Sequence, residues 1–493
     1  MPETQSRSKD LVKPATLKGF CDYFPEDMIP RNRIIEKIRT VYEKYGFSPI
    51  DTPILESKEA LLGTGGEETN KELFSLESPE GEEVSMRFDL TVPFARFLAQ
   101  YRERIKLPFR RYHIGPAFRA DKPDPGRFRQ FTQFDIDAAG SESVAVDAEI
   151  IAAMCESLAS LGLATASEGT SSEYRILVND RKLMDALLEG CGITQEAVQK
   201  HVLRVIDKVQ KAGLENIRKE LGEGRVDESG DPIRGVGLEV STIDRVLGFI
   251  AIEGNSRQEV IGSLADVLPE SPVTERALQE IQDLADCLAS LGAGESEVIF
   301  DPSLARGLDY YTGPVFEAVL PSAKQFGSIM GGGRYDNLVA RFLDERIPAT
   351  GASIGIDRLV PALASMGKIE SSSTPTRVLV IGMKGVPHPE LLKVARELRD
   401  EDIPTEIFLG TSNASMKNQL SYANSKAIPV AVILGSHEIE SGQVSIKNLS
   451  VGREKRADID DHKVYQEAGR VGQVTVGRGE MVRTVGEMLE GRL

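Results

Sequence analysis

No apolar run in this chain approaches the ~20 residues that cross a bilayer, and its opening, MPETQSRSKDLVKP, lacks the apolar core of a secretory signal. Cysteine is scarce. Cys21, Cys155, Cys191 and Cys287 stand apart without CxxC spacing, which gives neither a zinc site nor a disulfide framework. The 5 histidines are scattered as well, so no metal-binding cluster is expected. Together these absences point to a reduced, cytosolic compartment and no membrane. Positive charge is in deficit overall: 59 basic against 76 acidic residues leave a net charge of −17. That balance argues against indiscriminate nucleic-acid binding, although a local patch can still bind one selected RNA. With 41% hydrophobic and 27% charged residues the composition is that of an ordinary globular protein. At 493 residues it is too long for one core, and two or three domains are expected.

The positive charge that is present gathers in one place. Between Arg102 and Arg129, 9 Arg or Lys face only Glu103, Asp121 and Asp124. The surrounding stretch, Pro108 to Gly140, reads as strand, loop, strand. Alternation around Tyr112, Ile114 and Phe118 gives the first strand, and Phe128 to Ile136 the second. Ala120 to Gly126 carries two prolines and a glycine, which helices and central strands both reject. Arg119, Arg127 and Arg129 alternate with Phe118, Phe128 and Phe131, as if guanidinium groups and rings faced one ligand. An acidic protein that concentrates cations on a hairpin uses them on an anion; a solvated basic loop is the bland alternative, and it leaves that alternation unexplained.

Around this hairpin the chain is ordered as follows. Met1 to Lys13 is polar. Ile34, Ile35, Ile38, Val41, Tyr42 and Tyr45 make one apolar helical stripe, stopped at Gly46 and followed by the extended FSPIDTPILE. Two short strands around Ser78-Pro79-Glu80-Gly81 precede a helix starting near Thr91-Val92-Pro93, where Asp89 and Thr91 can act as caps. Ser141 to Leu163 is helical, Tyr174 to Val178 a strand, and a mostly helical region, with an insertion over about 185–285, runs on to Leu291. VIFDPSLARGLDYYTGPVFEAVL then leads to Gly327–Arg341, read as a glycine-rich turn into a helix; it lacks the Gly-Lys-Ser/Thr of a P-loop. Residues 366–376 form a polar linker. Beyond it VLVIG, PTEIF and VAVILG alternate with helices as a small α/β unit, GQVSIKNL adds a strand, and the tail from Gly477 is a short helix.

Three of these segments, in order, resemble the motifs of class II aminoacyl-tRNA synthetases: the apolar helix and strand with Pro53 as motif 1, Pro108–Gly140 as motif 2, and TGASIGIDRL from Thr350 to Leu359 as motif 3. The octet RGLDYYTG resembles the signature particular to histidyl-tRNA synthetases, and the resemblance extends from about Gly19 to Leu449. It implies an α+β catalytic domain over 1–365, with an antiparallel sheet flanked by helices and a helical insertion that in this family covers the tRNA acceptor arm. It further implies a C-terminal α/β anticodon-binding domain over 377–493. The implied reaction is ATP-dependent activation of L-histidine to histidyl-adenylate, then transfer to the 3′ end of tRNA(His), by a homodimer joined around Ile34–Glu56.

By motif matching, Arg119 and Arg306 flank the α-phosphate, Arg127 meets the outer phosphates, and Phe131 and Arg358 sandwich the adenine, with Mg²⁺ on the phosphates and no protein metal ligands. Asp137, Tyr310 and Tyr311 would read the imidazole, Arg306 lies beside the same histidine site, and Asp89, Thr91 and Gln133 would take the α-amino group. Asp89 and Asp137 are one methylene shorter than the Glu of many family members, which alters the pocket geometry. A histidine-sensing, catalytically dead paralogue would be expected to lose the octet's arginine or the C-terminal domain, and this chain keeps both. The RNA-sensing module of a stress kinase would sit beside kinase motifs, and none are present.

Overall fold

The computed structural model describes residues 12–62, 71–123, 126–166, 170–226, 230–305, 310–369, 372–410, 415–450 and 472–493. They fall into two compact units, one of Met1–Asp22 with Arg33–Ile369, the other of Tyr23–Asn32 with Glu370–Leu493.

The larger unit is built on an eight-stranded sheet. Its strands are β1 Ser48–Pro49, β2 Phe109–Phe118, β3 Gln130–Ala139, β4 Arg175–Asp180, β5 Val298–Phe300, β6 Pro314–Val319, β7 Met330–Arg334 and β8 Ala349–Gly355. Their order across the sheet is β1-β2-β3-β8-β7-β6-β4-β5. Neighbours are antiparallel except at the two edges, where β1 joins β2 and β5 joins β4 in parallel. The hairpin of β2 and β3 pairs over its full length, from Phe109 opposite Ala139 to Phe118 opposite Gln130.

Because side chains alternate along a strand, the register sorts the sheet into two faces. Tyr112, Phe134, Ile136, Ala138, Ala352, Ile354, Met330 and Phe316 lie on one and are buried in the main core. Ile34, Ile38 and Tyr42, from the apolar stripe of helix Pro25–Lys44, pack into that core, as do Ile150 and Met154 of helix Val144–Ser160. The opposite face carries Arg111, His113, Gln133, Asp135, Asp137 and Ser353, with glycines at 331, 333 and 351. A smaller apolar cluster, including Phe94 and Leu98 of helix Thr91–Gln100 with Ala139, Ala349 and Tyr335, closes one end of this polar face.

The glycine run differs from its reading as a turn into a helix. Gly331–Gly333 lies within β7, hydrogen-bonded to β6 and β8, and the following helical turn is only Val339–Arg341. The cause is steric. A Cβ on Gly332 would collide with the carbonyl of Gly351, and one on Gly351 with the Asp137 carboxylate. Strands here approach too closely for side chains, so glycine is required by packing and not by a turn.

The inserted helices run from Arg181 to Ser290. Polar residues start several of them: Asp180 accepts from Lys182 N at 2.8 Å, Ser256 from Glu259 N at 3.2 Å and Ser271 from Thr274 N at 3.1 Å, with Pro272 in the first turn. Their apolar faces, including Leu183, Leu203, Ile217, Val246, Leu264 and Ile281, belong to the same core as the sheet.

The smaller unit has a five-stranded sheet in the order Thr405–Ile407, Val378–Gly382, Val430–Leu434, Gln443–Asn448, Gln473–Gly477. The first three strands are parallel and the last two antiparallel. Helices His388–Arg399 and Met481–Leu489 cover one face through Leu391, Leu398 and Val485, and Met416–Ser425 covers the other through Ala423. It is a three-layer α/β fold. No helix among the described residues is long and apolar enough to cross a membrane.

Candidate active site

The polar face of the sheet opens into a cleft whose lining includes Arg119, Arg127, Phe131, Gln133, Ser353, Asp357 and Arg358. Five of the sequence-predicted residues therefore share one cavity, four from the hairpin and Arg358 from a distant stretch of chain. Arg119 leaves β2 half-buried, its guanidinium 4.2 Å from the centre of the Phe88 ring and 5.0 Å from that of Phe131. Burial lowers its pKa, while Asp89 and Tyr310 act in the opposite direction; an arginine so placed stays cationic at neutral pH. Arg127, half-exposed, pairs with the buried Asp121 through Nε at 2.6 Å. Arg358 donates to the Ser328 carbonyl at 3.2 Å, and its neighbour Asp357 accepts from Thr132 N. The cleft thus presents fixed cations beside an aromatic ring.

Deeper along the same face the charges are buried. Gln133 donates through Nε2 to Ser353 Oγ at 2.6 Å. Asp89 accepts from the backbone of Thr91 at 3.1 Å and of Val92 at 2.9 Å, so one oxygen caps helix Thr91–Gln100; burial raises its pKa. Asp137 accepts from the Tyr335 hydroxyl and meets Arg111 Nη2 at 2.6 Å; burial pushes its pKa up to about 6 against the pull of Arg111. Tyr310 and Tyr311 are packed ring to ring at 4.6 Å, and Tyr310 stands edge-on to Tyr335 at 6.3 Å. A Cβ on Gly333 would collide with the Pro314 carbonyl and press on the ring of Tyr311. Arg306 and the three residues after it lie outside the described residues.

Four ionisable residues on or beside this face escaped the sequence reading. Arg111, fully buried, stacks over Phe94 at 4.5 Å and donates to the Leu90 carbonyl at 3.1 Å, while its Nε and Nη1 have no acceptor among the described residues. His113 meets Asp51 at 2.9 Å, and burial together with Arg111 and Arg87 lowers its pKa to about 4. Arg87 donates to the carbonyls of Pro116 at 2.7 Å and Thr52 at 2.8 Å. Asp135, between Gln133 and Asp137 on the same face, is 1% exposed, and neither oxygen accepts a well-formed hydrogen bond. Burial raises its pKa to about 7, opposed first by Arg111 and reinforced by Asp137. The signal for this group was the alternation Arg111, His113 on one strand and Asp135, Asp137 on the next, a pattern that puts charge where an ordinary sheet puts apolar residues or water.

A sequence model of the family described as Histidyl-tRNA synthetase matches residues 19–359, and one described as Anticodon binding domain matches 377–465. Among curated proteins, the chain is 40% identical to the histidine--tRNA ligase of Brucella ovis over 98% of this chain and 97% of that one. It is 39% identical to the ligase of Caulobacter vibrioides over 96% of each. Among solved structures, histidyl-tRNA synthetase from Nostoc sp. PCC 7120 aligns with a TM-score of 0.78 at 28% identity, over 97% of this chain and 100% of that one.

Proposed function

This chain belongs to the histidyl-tRNA synthetase family, and from that premise we propose that it couples ATP cleavage to the charging of tRNA(His) with L-histidine. A carboxylate oxygen of histidine attacks the α-phosphorus of ATP. The new O–P bond forms as the bond to the bridging oxygen breaks, releasing pyrophosphate and leaving histidyl-adenylate. A ribose hydroxyl at the 3′ end of the tRNA then attacks the acyl carbon, AMP departs, and the proton leaves the hydroxyl.

The first step gathers negative charge on phosphoryl oxygens, and prepositioned donors aimed at that charge supply much of such a rate enhancement. Arg119 is the donor at the α-phosphate, with Arg306 opposite it; Arg127 exchanges Asp121 for the outer phosphates; Phe131 and Arg358 hold the adenine. Mg²⁺ would accompany ATP on the phosphate oxygens and offset their charge. Asp89, Thr91 and Gln133 take the ammonium group of histidine, and Asp137, Tyr310 and Tyr311 form the end that receives its ring. A pocket that pairs both ring nitrogens rejects apolar competitors strongly enough to need no editing domain.

The single observation that carries this reading is the continuity of one sheet face, from the cationic cleft at Arg119 and Phe131 through Gln133 to the buried carboxylates. It offers a phosphate end and an amino-acid end in line. The smaller unit would bind the anticodon. The working molecule is a cytosolic homodimer joined around Ile34–Glu56, where Ile54 and Leu55 are 43% and 48% exposed despite their apolar character. The test is pyrophosphate exchange into ATP. Exchange that requires histidine, with charging of tRNA(His) but not of other tRNAs, is expected; exchange driven equally by another amino acid would overturn the assignment.

A further inference from the structure

Asp137 accepts from the Tyr335 hydroxyl through one oxygen, and the other, without a well-formed hydrogen bond, lies against Arg111 Nη2 at 2.6 Å as an ion pair. Asp135 has neither engaged by a well-formed hydrogen bond among the described residues; the Ser353 hydroxyl nearby favours its ionised form. On the strand beside it, Arg111 spends Nη2 on Asp137 and Leu90 and leaves Nε and Nη1 without acceptors. Buried polar atoms are nearly always paired, and those that are not concentrate where function requires them. Here a spare acceptor and spare donors occur together, on diagonal neighbours of one sheet face: Arg111 is opposite Asp137, and Asp135 opposite His113.

A neutral imidazole has the matching inventory, one N–H donor and one bare nitrogen acceptor. Position agrees as well. Asp135 is one pleat, roughly 7 Å, beyond Gln133, a distance comparable to the span of histidine from its ammonium to its ring, whereas Asp137 is two pleats away. Resting on the functional reading above, we propose that Asp135 accepts the N–H of the substrate's imidazole and Arg111 donates to its other nitrogen. Asp137 then acts as a positioning residue that holds Arg111 and Tyr335. The unpaired atoms are sealed from water, so the site rearranges as the ring arrives.

The test measures histidine-dependent pyrophosphate exchange for the intact enzyme and for Asp135→Asn, with melting temperature and the KM for ATP alongside. Losing a charge-assisted contact to a buried ring should raise the KM for histidine roughly 10- to 100-fold, with the KM for ATP unchanged and the melting temperature not lowered. A purely structural role predicts the reverse, a lower melting temperature and an unchanged KM for histidine, and would overturn the proposal. A second measurement needs no variant. Histidine methylated on either ring nitrogen should fail to compete with histidine at the wild-type enzyme; competition by either isomer at the strength of histidine would also overturn it. Absence of histidine-dependent exchange in the wild type would sink the functional reading and this proposal together, whereas an active wild type with an unaffected Asp135→Asn would sink the proposal alone.

Discussion

Replacing Arg119 with alanine separates catalysis from architecture. The side chain has little structural work: among the described residues its hydrogen bond to the Phe88 carbonyl is long at 3.4 Å, and its ring contacts with Phe88 and Phe131 contribute about 0.5–1 kcal/mol each at such a site. Against this stands the cost of keeping a cation out of water, seen in its lowered pKa. Loss of its charge also removes a partner for Asp89. These terms nearly cancel, so Arg119→Ala should change folding stability by no more than ~1 kcal/mol. Its effect on adenylate formation should be of another order. Removing one prepositioned donor from a developing oxyanion costs about 10²–10³ in kcat, and a planar two-pronged donor is not reproduced by an ammonium, so Arg119→Lys should recover only part. Pyrophosphate-exchange kinetics beside a denaturant melt give both quantities. If Arg119→Ala lost several kcal/mol of stability while each folded molecule kept its kcat, the reasoning would be refuted.

Asp135→Asn should also alter the pH dependence of stability. The folded-state pKa of Asp135 is raised, to about 7, above the unfolded value near 4. The folded protein therefore holds the proton more tightly, and the stability that this contributes is present at low pH and is lost as pH rises toward 7. Melting curves from pH 4 to 8 should show the variant gaining on the wild type across that window, with Arg111, Asp137, Asp89, His113 and Ser353 as its charged and polar surroundings; parallel curves would contradict this. Asp147→Ala takes from the buried Arg334 its nearer carboxylate, at 2.5 Å, and leaves it Asp336 at 3.6 Å with the carbonyls of Ser141 and Ser143. Breaking a buried pair by removing one partner should cost about 3 kcal/mol here, the low end of such losses, measurable by urea unfolding. Ending the chain after Gly367 should leave adenylate formation largely intact and impair tRNA charging, because beyond that point only Ile369 packs against the main core. Equal loss of both activities would contradict that.

The hairpin of β2 and β3 was legible because its evidence is local: alternation, a proline-bearing loop and clustered arginines. The cleft residues Arg119, Arg127, Phe131 and Arg358 came from motif order. Gly331–Gly333 was misread because glycine has no intrinsic preference for a strand; its conformation is imposed by β6 and β8 on either side. The cluster of Arg111, His113 and Asp135 went unread for a related reason. Which residues face one another across β2, β3 and β8 is a matter of register, and register is fixed by the burial of the opposite face. Asp89 shows a third limit: a carboxylate before a helix reads equally as a cap or as a ligand, and one of its oxygens is already a cap.

The helices between Arg181 and Ser290 share their apolar core with the underside of the sheet. This has a bearing on attempts to trim the enzyme. A module that merely decorates a fold can be cut away at its two junctions; these helices are instead the wall of the room in which β4 and β6 stand. Excision would strip helix Val144–Ser160 of the helix Pro272–Ser290 that packs along it, and the bare surface would drive association between molecules before any question of RNA contact arose. A shortened version would have to supply a new apolar cover of the same breadth, so the segment can be exchanged but not simply deleted.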